Sequence, residues 1–469
     1  MRLDVPLLAL LLSAPLHAQV STMARDIRAG RSALQAGRPA QARSSFAAAL
    51  AHPDGRRDDA FAAAVGLGQS TLWLGDYPAA AAAFRKARQQ ADDTAAQQRA
   101  DTGLAQALNA LDYPRQAEAL VTPFARGKSR PTLELLRALQ SLGRQDKSPA
   151  YLQAAPPPAD GYLGRQYALL QDDMRLALAD QIDGELAVSH DSENLDTYRL
   201  GASFRSAPQN HTWGVSRWGA AADTTHVAQG RLGRQLSDAR ALGQWRIADL
   251  HQVDLDLGLG RVGGWSFVQG ALRWSVQPGD SFSVSAAAER APVLTDGAID
   301  QRLIYNTWSL ATSVRPSAHW YLQPGYYRQD FSDGNHRDGG TLRLLLSPYD
   351  LAGTPAALGG ELSTSSYRST QPSRGVYFNP ARYRASEFGL IGIYRLNPRW
   401  KLRVTADAGR QYINAVGADI YALALSLHGR LPHNGRLDLQ LGRSSAASVG
   451  NGGAGYWNNT LSLSVTYPL

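Results

Sequence analysis

The strongest constraint on this chain is an alternation of period two that runs through its second half. In "WKLRVTADAG", Trp400, Leu402, Val404 and Ala406 share one side, while Lys401, Arg403, Thr405 and Asp407 share the other. In "GRLDLQLG", Leu437, Leu439 and Leu441 oppose Arg436, Asp438 and Gln440, and "VDLDLGLGRV" sets its apolar residues against Asp254 and Asp256. Such runs are β-strands whose two faces meet different surroundings. A soluble sandwich would bury the leucines against a second sheet, whereas a membrane barrel would turn them to lipid and the charges to a watery lumen.

Turn signals separate the strands. The short "QPGD", "RPSAH", "LNPRW" and "LPHNG" alternate with the longer "SDGNHRDGG", "STQPSRGVYFNPARY" and "SSAASVGNGGAGYWNN". Short turns at one end and long loops at the other are the pattern of an outer-membrane barrel. About sixteen segments of strand length fit between Glu185 and Leu469, with roughly fourteen to eighteen as the range. The last, "NNTLSLSVTYPL", is expected to close the barrel. Lumen charges of both signs would come from Asp254, Asp256, Lys401, Arg403, Asp407, Arg436 and Asp438.

The opening "MRLDVPLLALLLSAPLHAQ" has a basic residue, a short apolar run and a small-residue cleavage pattern. It reads as a signal peptide over residues 1–18, which predicts export and a mature chain starting near Gln19. The chain of 469 residues has no cysteine, so a disulfide-stapled secreted fold is excluded. The formal charge of +8 comes from arginines that are scattered rather than clustered. That permits anionic partners such as lipopolysaccharide and argues against nucleic acid.

Between residues 22 and 155 the period is helical and the composition rich in alanine. "SALQAGRPAQARSSF", "STLWLGDYPAAAAAF" and "QALNALDYPRQAEAL" align without gaps. Leu34, Leu72 and Leu108 share a column, and Gly37, Gly75 and Leu111 another. A degraded fourth copy runs through "RALQSLGRQDKSPAYL". The middle copy resembles the tetratricopeptide repeat, with its leucine-glycine turn, tyrosine, small residue and aromatic, and the resemblance implies a helical solenoid. Leu34, Leu72, Trp73, Phe84 and Leu108 are the expected repeat core. "QAAPPPADG" then predicts a domain boundary, and residues 156–183 read as a linker with a bridging helix before a barrel over 184–469. The expected fold is therefore a multidomain α+β chain, an N-terminal α-helical solenoid followed by an antiparallel transmembrane β-barrel.

"GVYFNPARYRASEFGLIGIYRL" resembles a loop of the porins that export poly-N-acetylglucosamine and cellulose, which also join periplasmic tetratricopeptide repeats to a sixteen-stranded barrel. The residues that carry it are Tyr377, Phe378, Asn379, Pro380 and Tyr383. Packing of aromatics around a proline turn would explain the same residues. The resemblance implies a bacterial outer-membrane location with the repeats in the periplasm, a polysaccharide cargo, and synthesis proteins as partners of the repeats. Two other readings stay open: an anchor or adhesion protein whose barrel transports nothing, and an outer-membrane hydrolase or deacylase.

Other motifs carry little chemistry. Gly258, Gly260 and Gly263 of "GLGRVGG" match a dinucleotide-binding spacing, but a strand pattern follows where that fingerprint needs a helix. Asp330, Asp333, His336 and Asp338 lie close together without the ordered spacing of a calcium loop. No nucleophile elbow precedes a helix. The sequence thus gives no catalytic, metal or cofactor residues, and no cofactor is expected.

Overall fold

The computed structural model describes residues 22–52, 56–155, 161–230, 232–351, 354–372, 375–447, 452 and 455–469. The signal-peptide reading and the proline run Pro156–Pro158 lie outside the described residues. Nine α-helices among them precede a large antiparallel sheet. The chain divides into two compact units inside the helix Thr94–Ala110, at Leu104 and Ala105. The sequence placed a boundary later, at the proline run; the helices beyond Ala105 instead share a unit with the barrel.

In the first unit, helices Thr22–Gln35 and Pro39–Leu50 form one hairpin, and Arg57–Trp73 and Tyr77–Gln90 a second. Each turns on a glycine with positive φ, Gly37 at 69° and Gly75 at 76°. The following N–H reaches five residues back, from Arg38 to the Ala33 carbonyl at 2.8 Å and from Asp76 to that of Thr71 at 3.0 Å. This is the Schellman closure of a helix end. The same bond recurs twice in the second unit, from Tyr113 to Leu108 and from Arg144 to Leu139. In the third copy the positive φ falls on Asp112 rather than Leu111, because aspartate tolerates the left-handed region better than leucine, and the helix runs one residue further.

The repeat aromatics sit in glycine hollows. Phe46 lies against Gly30 and Gly66, where a Cβ would stand 2.8 and 2.4 Å from its ring; Phe84 lies against Gly68 and Gly103, at 2.7 and 2.3 Å. Both rings are buried, as is Leu108, while Leu34 and Leu72 are half-buried. Trp73, expected in the core, is 63% exposed. Its neighbours Ser70 and Thr71 take the inward positions, where their hydroxyls bond the Leu67 carbonyl.

The second unit is a closed barrel. Each strand pairs antiparallel with its chain neighbours, and the first, Gln181–Asp191, pairs with both Leu195–Arg205 and the last, Asn458–Pro468. The three residues Gln209–His211 continue the line of Leu195–Arg205 along the same partner strand, so the wall has sixteen staves. The first begins at Gln181, a few residues before the predicted start. Gln181 and Pro468 lie at one end, termed here the proximal rim. The turns at 248–250, 280–281, 315–319, 398–399 and 431–435 share that end; the loops at 293–303, 370–381 and 445–457 lie at the other, the distal mouth. "SDGNHRDGG" is shorter as a loop than predicted, since a strand resumes at His336.

Register fixes which residues share a face. Val404 lies opposite Leu425, Leu425 opposite Leu441, and Leu441 opposite Leu461, an outward apolar row. Leu200, Leu257, Leu272, Leu310, Leu362 and Leu390 are likewise exposed on the outer surface. Exposed aromatics flank them, with Trp218, Trp274, Trp320 and Tyr394 toward the proximal rim and Tyr198, Trp308, Tyr326 and Tyr412 toward the distal mouth. An apolar band between aromatic girdles is the outer surface of a membrane barrel.

The glycine hollows of the first unit give a direct test. Gly103→Ala drives a methyl group into the Phe84 ring and should cost about 1–3 kcal/mol, as overpacking does. Phe84→Asp should unfold the unit outright, because a charge buried without a partner is not tolerated. Helical circular dichroism of the full-length protein on heating should show an earlier transition for the first and lost helicity for the second; unchanged melting in both would refute this packing.

Candidate functional site: the lumen and its two mouths

The inward row follows from the same register. Lys401 lies opposite His428, His428 opposite Asp438, Asp438 opposite Ser464, Ser464 opposite Glu185, Glu185 opposite Gly201, and Gly201 opposite Asp223. Directly opposed residues share a face, so Lys401 and, two and six residues on, Arg403 and Asp407 face inward. Asp254 and Asp256 share the inward face of His251–Val262, and Arg436 and Asp438 that of Arg436–Ser444. A cavity of about 660 Å³ inside the proximal rim brings together Asp256, Arg436 and Asp438 of this set; the others lie elsewhere on the wall.

Most inward charges neutralise one another. Arg240 is the hub: it donates to Asp256 at 2.8 Å, pairs with Asp238 at 3.0 Å and bonds Asp223, which also accepts from Arg199 at 3.2 Å. Across the lumen, Arg343 pairs with Glu361, and the Asp407 carboxylate passes over Gly389 beside it. Asp254 accepts from Gln244 and Gln252, and Asp438 bonds His428. Lys401 and Arg403 have no ion pair among the described residues. The sequence reading missed Asp223, Asp238 and Arg240, although "SDARALGQWRI" carries Asp238, Arg240, Gln244 and Arg246 at even spacing. A second cavity of about 460 Å³ lies against an inner wall rich in hydroxyls, Ser283, Ser285, Ser313, Thr341, Ser363 and Ser365 among them.

The helices after Ala105 are lashed to the proximal rim. Arg315, in the turn at 315–319, bonds the carbonyls of Leu111 and Asp112 and lies between the rings of Tyr113 and Tyr321, 4.4 and 4.6 Å from its guanidinium carbon. Tyr321 donates to Asp112 at 2.7 Å. The Asp280 carboxylate accepts the N–H groups of Arg115 and Gln116 at 2.9 and 3.0 Å, capping the helix Pro114–Val121. Arg246 bonds Asp146, and Arg430 holds Asp173 of the helix Gly161–Leu178 at 2.6 Å.

Asp249, in the turn at 248–250, is the densest of these ties. Its carbonyl accepts from Arg144 at 2.9 Å and Arg115 at 3.2 Å, and its carboxylate pairs with Lys147. Burial works to raise this carboxyl, but the Lys147 hydrogen bond and the charges of Lys147, Arg144 and Arg246 outweigh it and hold the group below its ordinary value.

The distal mouth is packed from inside. The inward residues Val227, Leu236, Val262 and Phe267 bury Ile299 of the loop at 293–303. Val293, Leu303, Phe331 and Tyr377 form an adjoining cluster, and Tyr383, Ala385 and Ile420 a third, with Phe378 and Ala447 against it. Tyr377 stacks on Phe331 at 4.8 Å, and Arg337, almost wholly buried, lies over Phe331, Tyr367 and Tyr377 while bonding the Phe378 carbonyl. Asn335 bonds the Tyr377 hydroxyl and Asn379 at 3.1 and 3.0 Å. Thus Tyr377, Phe378, Asn379, Pro380 and Tyr383 serve as packing that draws a loop into the mouth.

The remaining motifs are structural. Gly263 and Gly264 form a two-residue turn at φ 52° and 85°, and a Cβ on Gly260 would stand 2.4 Å from Phe267. Asp330 pairs with Arg328 and His336, and Tyr377 donates to Asp333 at 3.2 Å. No group of three candidate ligands for a metal occurs among the described residues.

No protein-family model and no curated protein matches the chain. A solved structure described as "Bacterial polysaccharide outer membrane secretin" is similar over 62% of this chain and 99% of its own, at 13% identity and a TM-score of 0.53. CdiB from Acinetobacter baumannii is similar over 62% of this chain and 60% of its own, at 9% identity and a TM-score of 0.39. At 13% identity the first likeness is one of fold alone, and it extends over a share of the chain about equal to that of the antiparallel barrel.

Removing the central tie should free the helices. With Asp249→Asn, Arg144 and Lys147 lose their shared carboxylate, and residues 111–178 should become markedly more sensitive to protease in detergent while the barrel stays intact. Low pH should mimic the variant. A carboxyl whose folded value is depressed stabilises the fold above its ordinary value of about 3.9, and that contribution is lost as pH falls below it. Equal cleavage of wild type and variant at pH 7 would show that the tie contributes nothing.

Proposed function

We propose that this protein is an outer-membrane conduit that passes a polysaccharide through the barrel lumen. The observation that carries this reading is the pairing of an apolar outer band with a lumen whose walls are self-neutralised charge on one side and hydroxyl-rich on the other. Hydroxyls and paired charges can exchange hydrogen bonds with a hydrated sugar chain, with water bridging, without gripping it. The description of the structurally similar secretin supports the same cargo class, as does the loop resemblance. The helices on the proximal rim would face the periplasm, where the first unit would receive polymer or bind the proteins that synthesise it; lipid and lipopolysaccharide would surround the band. No reaction is assigned to the chain.

The packed distal mouth favours a conduit that is closed at rest. A permanently closed barrel would be an anchor instead, and conductance in a planar bilayer separates the two. Wild type should show small or intermittent currents, and Arg337→Ala, which leaves three aromatic rings without their shared cation, should raise open probability. Arg403→Glu should insert normally and shift ion selectivity toward cations. Val404→Arg, on the lipid face, should impair insertion, since such a charge costs roughly 2–4 kcal/mol at mid-bilayer. Absence of current in wild type and Arg337→Ala alike would overturn the conduit and leave the anchor.

A further inference from the structure

We infer that the outer wall near the distal mouth is a docking surface for a phosphorylated lipid of the surrounding leaflet. The inference deepens the reading above, since it rests on the barrel spanning a membrane. Five arginines, Arg368, Arg382, Arg384, Arg410 and Arg443, are exposed on the outward face of the five adjacent staves from Ala356–Ser369 to Arg436–Ser444. Register places Arg368 directly opposite Arg382, Arg384 opposite Tyr412, and Arg443 opposite the outward Leu423.

Like charges directly opposed on an antiparallel pair destabilise it. Here no ion pair offsets them: the guanidinium groups of Arg368, Arg382 and Arg384 have neither an ion pair nor a hydrogen bond among the described residues. Asp338 lies opposite Arg368 but accepts from Tyr326 at 2.9 Å and stands 3.8 Å from Arg328. Asp419 stands 4.0 Å from Arg410 and is 90% exposed. Arg443 is held by Tyr421 at 2.9 Å and Asn459 at 3.2 Å and lies over Trp457, forming one flank of the patch.

What lies below the charges selects the occupant. Descending the wall, Ser366 and Ser386 come next, then the exposed Leu362, Phe388 and Leu390. Arg384 and Phe388 are four residues apart on one strand, about 13 Å at the strand rise. A free anion would use the charges and leave the apolar rows unused, and an ordinary acyl chain would do the reverse. A lipid whose headgroup carries phosphates matches both, because guanidinium forks bind phosphate in a bidentate manner while the chains cover the rows beneath.

The test uses the purified full-length protein in neutral detergent, titrated with lipid A and followed by native mass spectrometry. Phosphatidylcholine and inorganic phosphate are the comparison probes. Wild type should retain lipid A, with affinity at least tenfold lower in Arg368→Gln/Arg382→Gln/Arg384→Gln and lowered to a lesser degree in Arg382→Gln alone. Arg261→Gln, an exposed outward arginine on a distant stave, should bind as wild type does. Equal affinity of the triple variant, equal retention of phosphatidylcholine, or competition by inorganic phosphate at matched concentration would each overturn the inference. The heat-dependent gel shift of a closed barrel, read on the same samples, reports folding; should the triple variant lack it, unchanged binding by Arg382→Gln overturns the inference. A protein that conducts ions but fails to retain lipid A loses the docking surface alone.

Discussion

Everything in the second unit depends on the ladder closing on itself. The strand Gln181–Asp191 is bonded on one side to Leu195–Arg205 and on the other to Asn458–Pro468, so the sheet has no free edge. In hydrocarbon every backbone N–H and carbonyl must find an internal partner, and closure is the only way a sheet can supply them all. Closure also fixes the phase of the alternation. One slip in register would turn every leucine of the outer rows inward and every lumen charge outward. Sixteen staves then leave a lumen wide enough to need its own solution for charge.

The solution differs along the axis. Around the wall the charges are set against one another, with Arg240 among three aspartates and Arg199 on one of them, so that each ionised group in the confined space has an opposite charge beside it. At the proximal rim, cations and carboxylates on barrel turns tie down the helices, and Arg315 fills the turn of the third repeat. At the distal mouth the wall becomes apolar, and three loops fold onto it around the buried Arg337. The division of the helices between two compact units follows from the rim: the helices that Arg315, Asp280, Asp249 and Arg430 engage belong with the barrel.

Much of this was legible. The period-two runs around Asp254, Lys401 and Arg436 fall on strands whose register sets alternate residues on opposite faces, and the short turns and long loops gather at opposite ends. Where one face is lipid and the other water, each position is constrained locally, so local pattern suffices. The repeat turns were legible too, except at Leu111, where the left-handed position passes to Asp112. The failures have a common origin in contacts between distant segments. Arg315 sits in "RPSAH", which reads as a plain turn, because its partners at 111–113 are some two hundred residues away in the chain. Trp73 looked like core because size and apolarity predict burial, yet Ser70 and Thr71 take the inner face by bonding back to their own helix. The "YFNP" residues were conspicuous, but the Arg337 and Phe331 that receive them lie on other strands.

The claim beneath the whole account is that alternate residues of one strand face water and lipid, and the absence of native cysteine allows it to be measured cleanly. Single cysteines placed in turn at residues 401 to 407 of Trp400–Ile413, in protein reconstituted into vesicles, should be challenged with a hydrophilic thiol reagent supplied to both sides. The account predicts labelling at 401, 403, 405 and 407 and protection at 402, 404 and 406. Uniform labelling, or the same alternation in opposite phase, would contradict it.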